Sequence, residues 1–348
     1  MKKIIELAES PIYSYTKHSY SLSLSMKEPK TMEWFYCNYI QLVCNKKREG
    51  LFFDFLSYCS VLTGDPWIDS VAPGNPWIQC EQVPGYTIKG HCDQVIDMVK
   101  WAIDRDRIVV TVLDDYYLPN KAFYQNKHNL HEILCYGYDD ETQMVHTLSF
   151  DEQSNFGEFL ITYDNFIKAY DTIELFYPDD PDRINPIKYY QLNQEFEYHF
   201  DIQTVRNGIA GLLYSKNTLA DISSMRNFSS DLTFGIETYQ TFRDYYTDMS
   251  GGQDLRPIQV LVEHKKCMMM RLEYMADLYN SDRLRELTER YRFIEEKCES
   301  IKRYLIKSFY LNRLSKQVEP LMDTVFTEEP PILKDILDAI DEIILQQQ

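Results

Sequence analysis

From Ile108 onward the chain alternates apolar and polar positions in short runs, the period-two signature of strands. Ile108 to Leu113 predicts one strand. His131 opens a second apolar run through Ile133, Leu134, Cys135 and Tyr136; Gly137 to Glu141 supply turn residues, and Met144 to Phe150 return as the partner strand. A short strand at Phe159 to Thr162, a helix at Asp164 to Tyr170 and a strand at Thr172 to Phe176 follow. Ahead of this sheet the spacing predicts helices at Cys37 to Asn45, Leu51 to Leu62 and Asp93 to Ile103, with a loop rich in Pro, Gly and Trp running to Pro84. Helices followed by an antiparallel sheet give an α+β domain.

Past residue 186 the period changes to that of amphipathic helices, expected at Gln194 to Leu213, Thr233 to Met249, Leu255 to Tyr279, Arg283 to Leu314 and Ile332 to Leu345. In the fourth, Leu284, Leu287, Tyr291, Ile294, Cys298, Ile301 and Leu305 recur every three or four positions and form one buried stripe. Turn residues Ser250 to Gly252 and Asn280 to Asp282 separate neighbours, which suits an antiparallel bundle. The three prolines between Pro178 and Pro186 mark a linker. The expected division is therefore residues 1–180 for an α+β domain and 187–348 for an all-α domain. With 348 residues the chain exceeds one ordinary hydrophobic core, which agrees with two units.

Charge narrows the function classes. A formal net charge of −18 and a pI near 4.8 argue against nucleic acid and anionic membrane as partners. Lys2 and Lys3 are followed by Glu6, Glu9 and Pro11 rather than by an apolar core, and no apolar run approaches ~20 residues, so a cytoplasmic protein is expected. Eight cysteines (Cys37, Cys44, Cys59, Cys80, Cys92, Cys135, Cys267, Cys298) are scattered without paired spacing and are expected as free thiols.

The candidate chemistry lies between Leu113 and Asp151. A hairpin that carries His131 at the start of one strand and Asp151 at the end of the next can set an imidazole beside a carboxylate, as a cysteine nucleophile requires. Cys37 is the candidate nucleophile: placed at the start of the expected helix through Ile40, Leu42 and Val43, its thiolate would gain from the helix dipole. His128, Asp115 and Tyr117 are candidate substrate contacts, with Asp114 beside them. His128 and His131, like His264 and Cys267, have an i, i+3 spacing but no third ligand, so neither a metal nor another cofactor is expected. Met268, Met269 and Met270 suit a bundle core, and the locally basic stretch Arg283 to Arg313 suits either a solvated face or the docking of an acidic partner.

The runs DDYYLPN, KHNLHEILCYGYDDE and VHTLSFD resemble the N-terminal domain of the butirosin biosynthesis protein H family, a papain-like fold related to bacteriocin-processing cysteine peptidases. The resemblance covers roughly residues 30 to 180, and the remainder is similar, more weakly, to companion segments of stand-alone relatives near nonribosomal peptide and other natural-product pathways. It implies acyl transfer rather than proteolysis, from an acyl or peptidyl carrier protein to a small-molecule acceptor, and the expected chemistry is transfer or hydrolysis of an acyl group: Cys37 would attack the thioester, His131 would act as base and acid, and Asp151 would orient the ring. Gly50 falls where the family's glycine is expected. A register shifted by two puts Phe35 at the nucleophile position, and Lys30, Thr31 and Met32 stand where papain-like peptidases carry an oxyanion glutamine. Two alternatives stand beside the enzyme: a catalytically silent scaffold that binds a small molecule or carrier protein, and a structural partner in a biosynthetic assembly.

Overall fold

The structure, a computed structural model, describes residues 1–45, 51–56, 75–92, 94–176, 186–221, 232–248 and 254–347. They form two compact units of mixed α and β structure with antiparallel sheets. The first comprises Met1–Glu28 and Ser70–Phe196, the second Pro29–Asp69 and Glu197–Gln348.

The first unit is built on strands β1 (Lys2–Ile4), β4 (Ile78–Val83), β5 (Ile108–Asp114), β6 (Leu130–Asp139), β7 (Met144–Phe150), β8 (Phe156–Thr162) and β9 (Ile187–Leu192). Their order is β4-β9-β5-β6-β7-β8, with β1 added to the far end of β6. Every pairing is antiparallel. β5 sets Leu113 opposite His131, β6 sets Leu134 opposite Leu148, and a bulge follows between Cys135 and Gly137. At Gly137 a side chain would meet the Lys3 carbonyl and Ile4 at 3.0 Å, so only glycine lets β1 pair this closely.

Strand β5 (IVVTVLD) is buried on both faces, which explains its nearly continuous β-branched run. Helices α4 (Val95–Ile103) and α5 (Tyr163–Asp171) bury Val99, Ala102, Ile103, Phe166 and Ala169 in the same core as Val109, Ile133 and Val145. The Thr162 hydroxyl caps α5 by accepting from the Asn165 amide. Helices α1 (Thr16–Ser25) and α3 (Gly85–His91) complete the unit, and Tyr20 of α1 donates to the Glu132 carbonyl.

In the second unit a small antiparallel sheet, β10 (Leu232–Phe234), β2 (Leu42–Asn45) and β3 (Phe52–Phe55), lies among helices α2 (Thr31–Cys37), α6 (Ile202–Leu213), α7 (Thr238–Thr247), α8 (Arg256–Leu278), α9 (Asp282–Tyr310) and α10 (Val318–Gln347). The expected stripe on α9 is real: Leu284, Leu287, Tyr291, Ile294, Cys298, Ile301 and Leu305 are all buried. Ser281 caps that helix and Asp201 caps α6.

Several expectations change. Residues 37–45 are not a helix: α2 ends at Cys37, Tyr39 adopts a positive φ of 53°, and the short apolar run Leu42 to Cys44 pairs as a strand. Phe52 to Phe55 are likewise a strand; the rest of the helix expected through Leu62 falls outside the described residues, as do Gly50, Cys59, the Ser250 to Gly252 turn and most of the linker. Thr172–Phe176 coils into a 3-10 turn directly after α5, with Leu175 and Phe176 exposed. The helix expected from Thr233 instead begins with a strand, because Gly235 (φ 56°) packs against the Leu212 carbonyl and turns the chain first. Helix α10 runs on through Pro330 and Pro331 rather than starting at Ile332.

The helical domain is therefore not all-α. Nor does it begin at residue 187: Val43 of β2 pairs with Phe234 of β10, which draws residues 29–69 into the second unit rather than the first.

Candidate functional site

The richest constellation in the first unit forms where β5 ends and β6 begins. Asp114, the last residue of β5, accepts from the Tyr116 amide (3.1 Å) and so starts a single 3-10 turn at Asp115–Tyr117. The chain returns at Asn129, whose carbonyl accepts from the Asp115 amide (2.9 Å). The Asn129 amide donates to Asp114 Oδ1 (3.2 Å) and its side-chain amide to Asp115 Oδ2 (2.7 Å).

This closure presents His128 to Asp114, whose Oδ2 lies 2.6 Å from His128 Nδ1. Because the carboxylate accepts, Nδ1 carries the proton and Nε2 is the nitrogen left for other partners. Asp114 is fully buried, and its desolvation is offset by these three donors. The imidazole, by contrast, is 45% exposed. It stacks on Tyr116 (centroids 4.4 Å apart) and meets Phe176 edge-on at 5.6 Å, with Tyr117 at 6.3 Å. A dry carboxylate thus fixes the tautomer and direction of a wet ring, which suits a base or a hydrogen-bonding ligand contact.

Two further charges flank the pair. Lys121 is buried and donates to Ser149 Oγ (2.7 Å) and to the Phe150 carbonyl (2.5 Å), tying the loop to β7. Burial pulls its ammonium down to about 8 against the attraction of Asp115 and Asp151. Burial likewise raises the Asp115 carboxyl, while the Asn129 hydrogen bond and the Lys121 charge oppose that shift.

The residues expected to form a catalytic triad are placed differently from one another. His131 is the second residue of β6, half-buried, its ring edge-on to Phe150 at 6.1 Å. Asp151 lies just past β7, where its carboxylate accepts from the Gln153 amide (2.9 Å) and from the amide and side chain of Asn155 (2.7 and 3.0 Å). Such a turn is the common use of aspartate at a strand end. Cys37 belongs to the second unit, whereas His128, His131 and Asp151 belong to the first.

Cys37 also sits at the opposite end of its helix from the one expected. As the last residue of α2 it lies at the negative end of the dipole, which disfavours a thiolate. Burial raises its thiol further, though hydrogen bonds with Asp201 and Tyr198 work against that rise. The sulfur accepts from the Asp201 amide (3.3 Å) and donates to its carbonyl (3.6 Å). Phe35, the residue that a shifted register would place there, is fully buried against Tyr36 and Tyr39.

Elsewhere in the second unit, His264 Nε2 donates to the Ile40 carbonyl (2.7 Å) and its Nδ1 accepts from Lys265 (3.2 Å), which makes it a neutral, structural histidine. Cys267 is buried, its thiol pushed up to about 12.

The residues that sequence reasoning missed are Lys121 and the role of Asp114 as the carboxylate bonded to His128. A signal existed: pairing the strand at 108–113 with the one opened by His131 closes the intervening loop and brings its ends, Asp114 and His128, together. No protein-family model matches the chain, and no curated protein matches it.

Proposed function

We propose that this protein is a papain-like scaffold of the butirosin biosynthesis protein H type that binds a small molecule or a carrier-bound intermediate at His128 and does not turn it over through Cys37. The observation that carries this reading is the state of Cys37: a thiol at a helix C-terminus, engaged with the Asp201 backbone, that burial holds above the usual thiol range despite the nearby Arg271 charge, and so is not the ready thiolate that nucleophilic cysteines present. The oriented imidazole of His128, ringed by Tyr116, Tyr117 and Phe176, supplies what a binding site needs, an aromatic wall and one directed polar atom.

A second reading is acyl transfer in specialised metabolism, from a carrier-protein thioester, and the Asp114–His128 pair favours it because a carboxylate-held imidazole is the arrangement that a general base requires. One experiment separates the two. The wild type and Cys37→Ala are treated with iodoacetamide at pH 7.5 and followed by intact mass and peptide mapping. The binding reading expects Cys37 to alkylate no faster than the other accessible thiols. Preferential first labelling of Cys37, lost in Cys37→Ala, would replace it with the acyl-transfer reading.

No helix among the described residues is long and apolar enough to cross a membrane.

A further inference from the structure

Helix α9 divides into two halves by the fate of its cations. In the first half every arginine is matched by a carboxylate: Arg283 by Glu342, Arg285 by Asp282, Arg290 by Asp335, and Arg292 by Glu273 and Glu289. In the second half the matching stops. Between residues 302 and 316 the sequence holds Lys302, Arg303, Lys307, Arg313 and Lys316 and neither aspartate nor glutamate. None of the five has an ion-pair partner among the described residues, and Arg303 reaches only the Ser300 hydroxyl (2.9 Å).

Arg303, Lys307 and Tyr310 fall on one face of the helix by their spacing of four and three, opposite the buried stripe of Cys298, Ile301 and Leu305. Two large apolar groups sit in this basic field, Tyr310 at 85% and Leu311 at 64% exposure. Arginine and tyrosine are the residue types that contribute most at protein interfaces, while an exposed Tyr-Leu pair at a helix end adds nothing to a monomer's core.

We propose that the C-terminal end of α9, with Arg303, Lys307, Tyr310, Leu311 and Arg313, is a docking surface for an acidic amphipathic helix of a partner protein. The charge complementarity is local. In a chain of net charge −18 this stretch is the exception, so it orients an acidic partner toward one end of one helix while the rest of the surface repels it. A continuous polyanion such as duplex DNA, or an anionic bilayer, extends past the patch into that repulsion, whereas a single helix does not. The proposal does not depend on the site at His128.

The test uses the full-length protein and a fluorescent helical peptide with glutamates on one face and leucines on the other, followed by anisotropy. Binding is expected at 50 mM NaCl, weakened about tenfold or more at 500 mM by screening. Arg303→Glu with Lys307→Glu should weaken it at least tenfold, and Tyr310→Ala with Leu311→Ala about threefold, with unchanged thermal melting for both. Arg290→Glu, from the paired half, should change it less than twofold. Equal affinity of wild type and the Arg303/Lys307 variant would overturn the proposal. So would tighter binding to duplex DNA or to vesicles of mixed phosphatidylcholine and phosphatidylserine than to the peptide.

Discussion

Two polar clusters, one in each unit, use similar residue types to opposite ends. In the second unit Lys265 and Glu329 are both fully buried and joined at 2.7 Å. Tyr239 and Tyr291 each donate to Glu329 at 2.5 Å, and Lys265 also donates to Tyr239 (2.6 Å) and to His264. In this cluster each ring and chain ends on another member, or on the Ile40 carbonyl in the case of His264. In the first unit Asp114 is just as buried, but its histidine is nearly half exposed and keeps Nε2 for something else. A closed network fixes one packing of the helices; an open pair spends its buried half on aiming its exposed half.

The sharpest way to break this comparison is to unbalance the closed network. Lys265→Met alone should cost about 3–5 kcal/mol, because it leaves the Glu329 carboxylate in a dry core without its counter-charge. Lys265→Met with Glu329→Leu should recover much of that loss, since apolar replacement of a whole buried pair is often neutral. Urea unfolding of both variants checks it. A double variant no more stable than the single one would show that the tyrosines need the carboxylate.

The next effect is in pH. Burial, and then the Lys265 charge, hold the His264 imidazole well below its ordinary range, so the folded state refuses a proton that the unfolded chain takes up near pH 6.5. Above that pH both states are neutral at this position and it contributes no slope. Below it the unfolded state binds more protons, so stability falls as pH drops from about 6.5. The comparison variant is His264→Gln, whose amide can keep donating to Ile40: its stability-against-pH curve between 7 and 5 should be flatter than that of the wild type.

The smallest stability effects belong to the open pair, although its chemical effects should be the clearest. Asp114→Asn should cost roughly 1–3 kcal/mol, the range for a disturbed buried hydrogen-bonding group. His128→Ala should cost under about 1 kcal/mol because the ring is half in water. Thermal melting orders the two. The imidazole nitrogen shifts of His128, followed by NMR, should show one tautomer in the wild type and a mixture in Asp114→Asn; an unchanged tautomer would mean that stacking on Tyr116, not the carboxylate, sets the ring.

Much of the architecture follows from local pattern. The strand at Ile108, the hairpin closing at Phe150, the helix after Thr162 and the stripe on α9 are each encoded by neighbours two to four residues apart, and each forms as expected. The expectations that changed lie where short apolar runs are ambiguous. Leu42 to Cys44 suits a buried helix or a buried strand equally, and only pairing with Phe53, Phe55 and Phe234 decides it.

The candidate site divides in the same way. Sequence alone marked the segment from Leu113 to Asp151 as chemically loaded, because acids, histidines and tyrosines crowd the mouth of a hairpin there. Which carboxylate meets which histidine depended on how the loop closed: Asp151 is used by its own turn, and Asp114 is bonded to His128 across fourteen residues of chain.

Cys37 was beyond local reach altogether. Its helix ends where it does because Arg271, buried in α8, donates to the carbonyls of Tyr36 and Asn38 at 2.6 Å, and because His264 holds Ile40. Those donors lie more than 220 positions away. A periodicity of three or four residues carries no trace of them, so the sequence could name the thiol while only the tertiary structure decided which end of a helix it occupies.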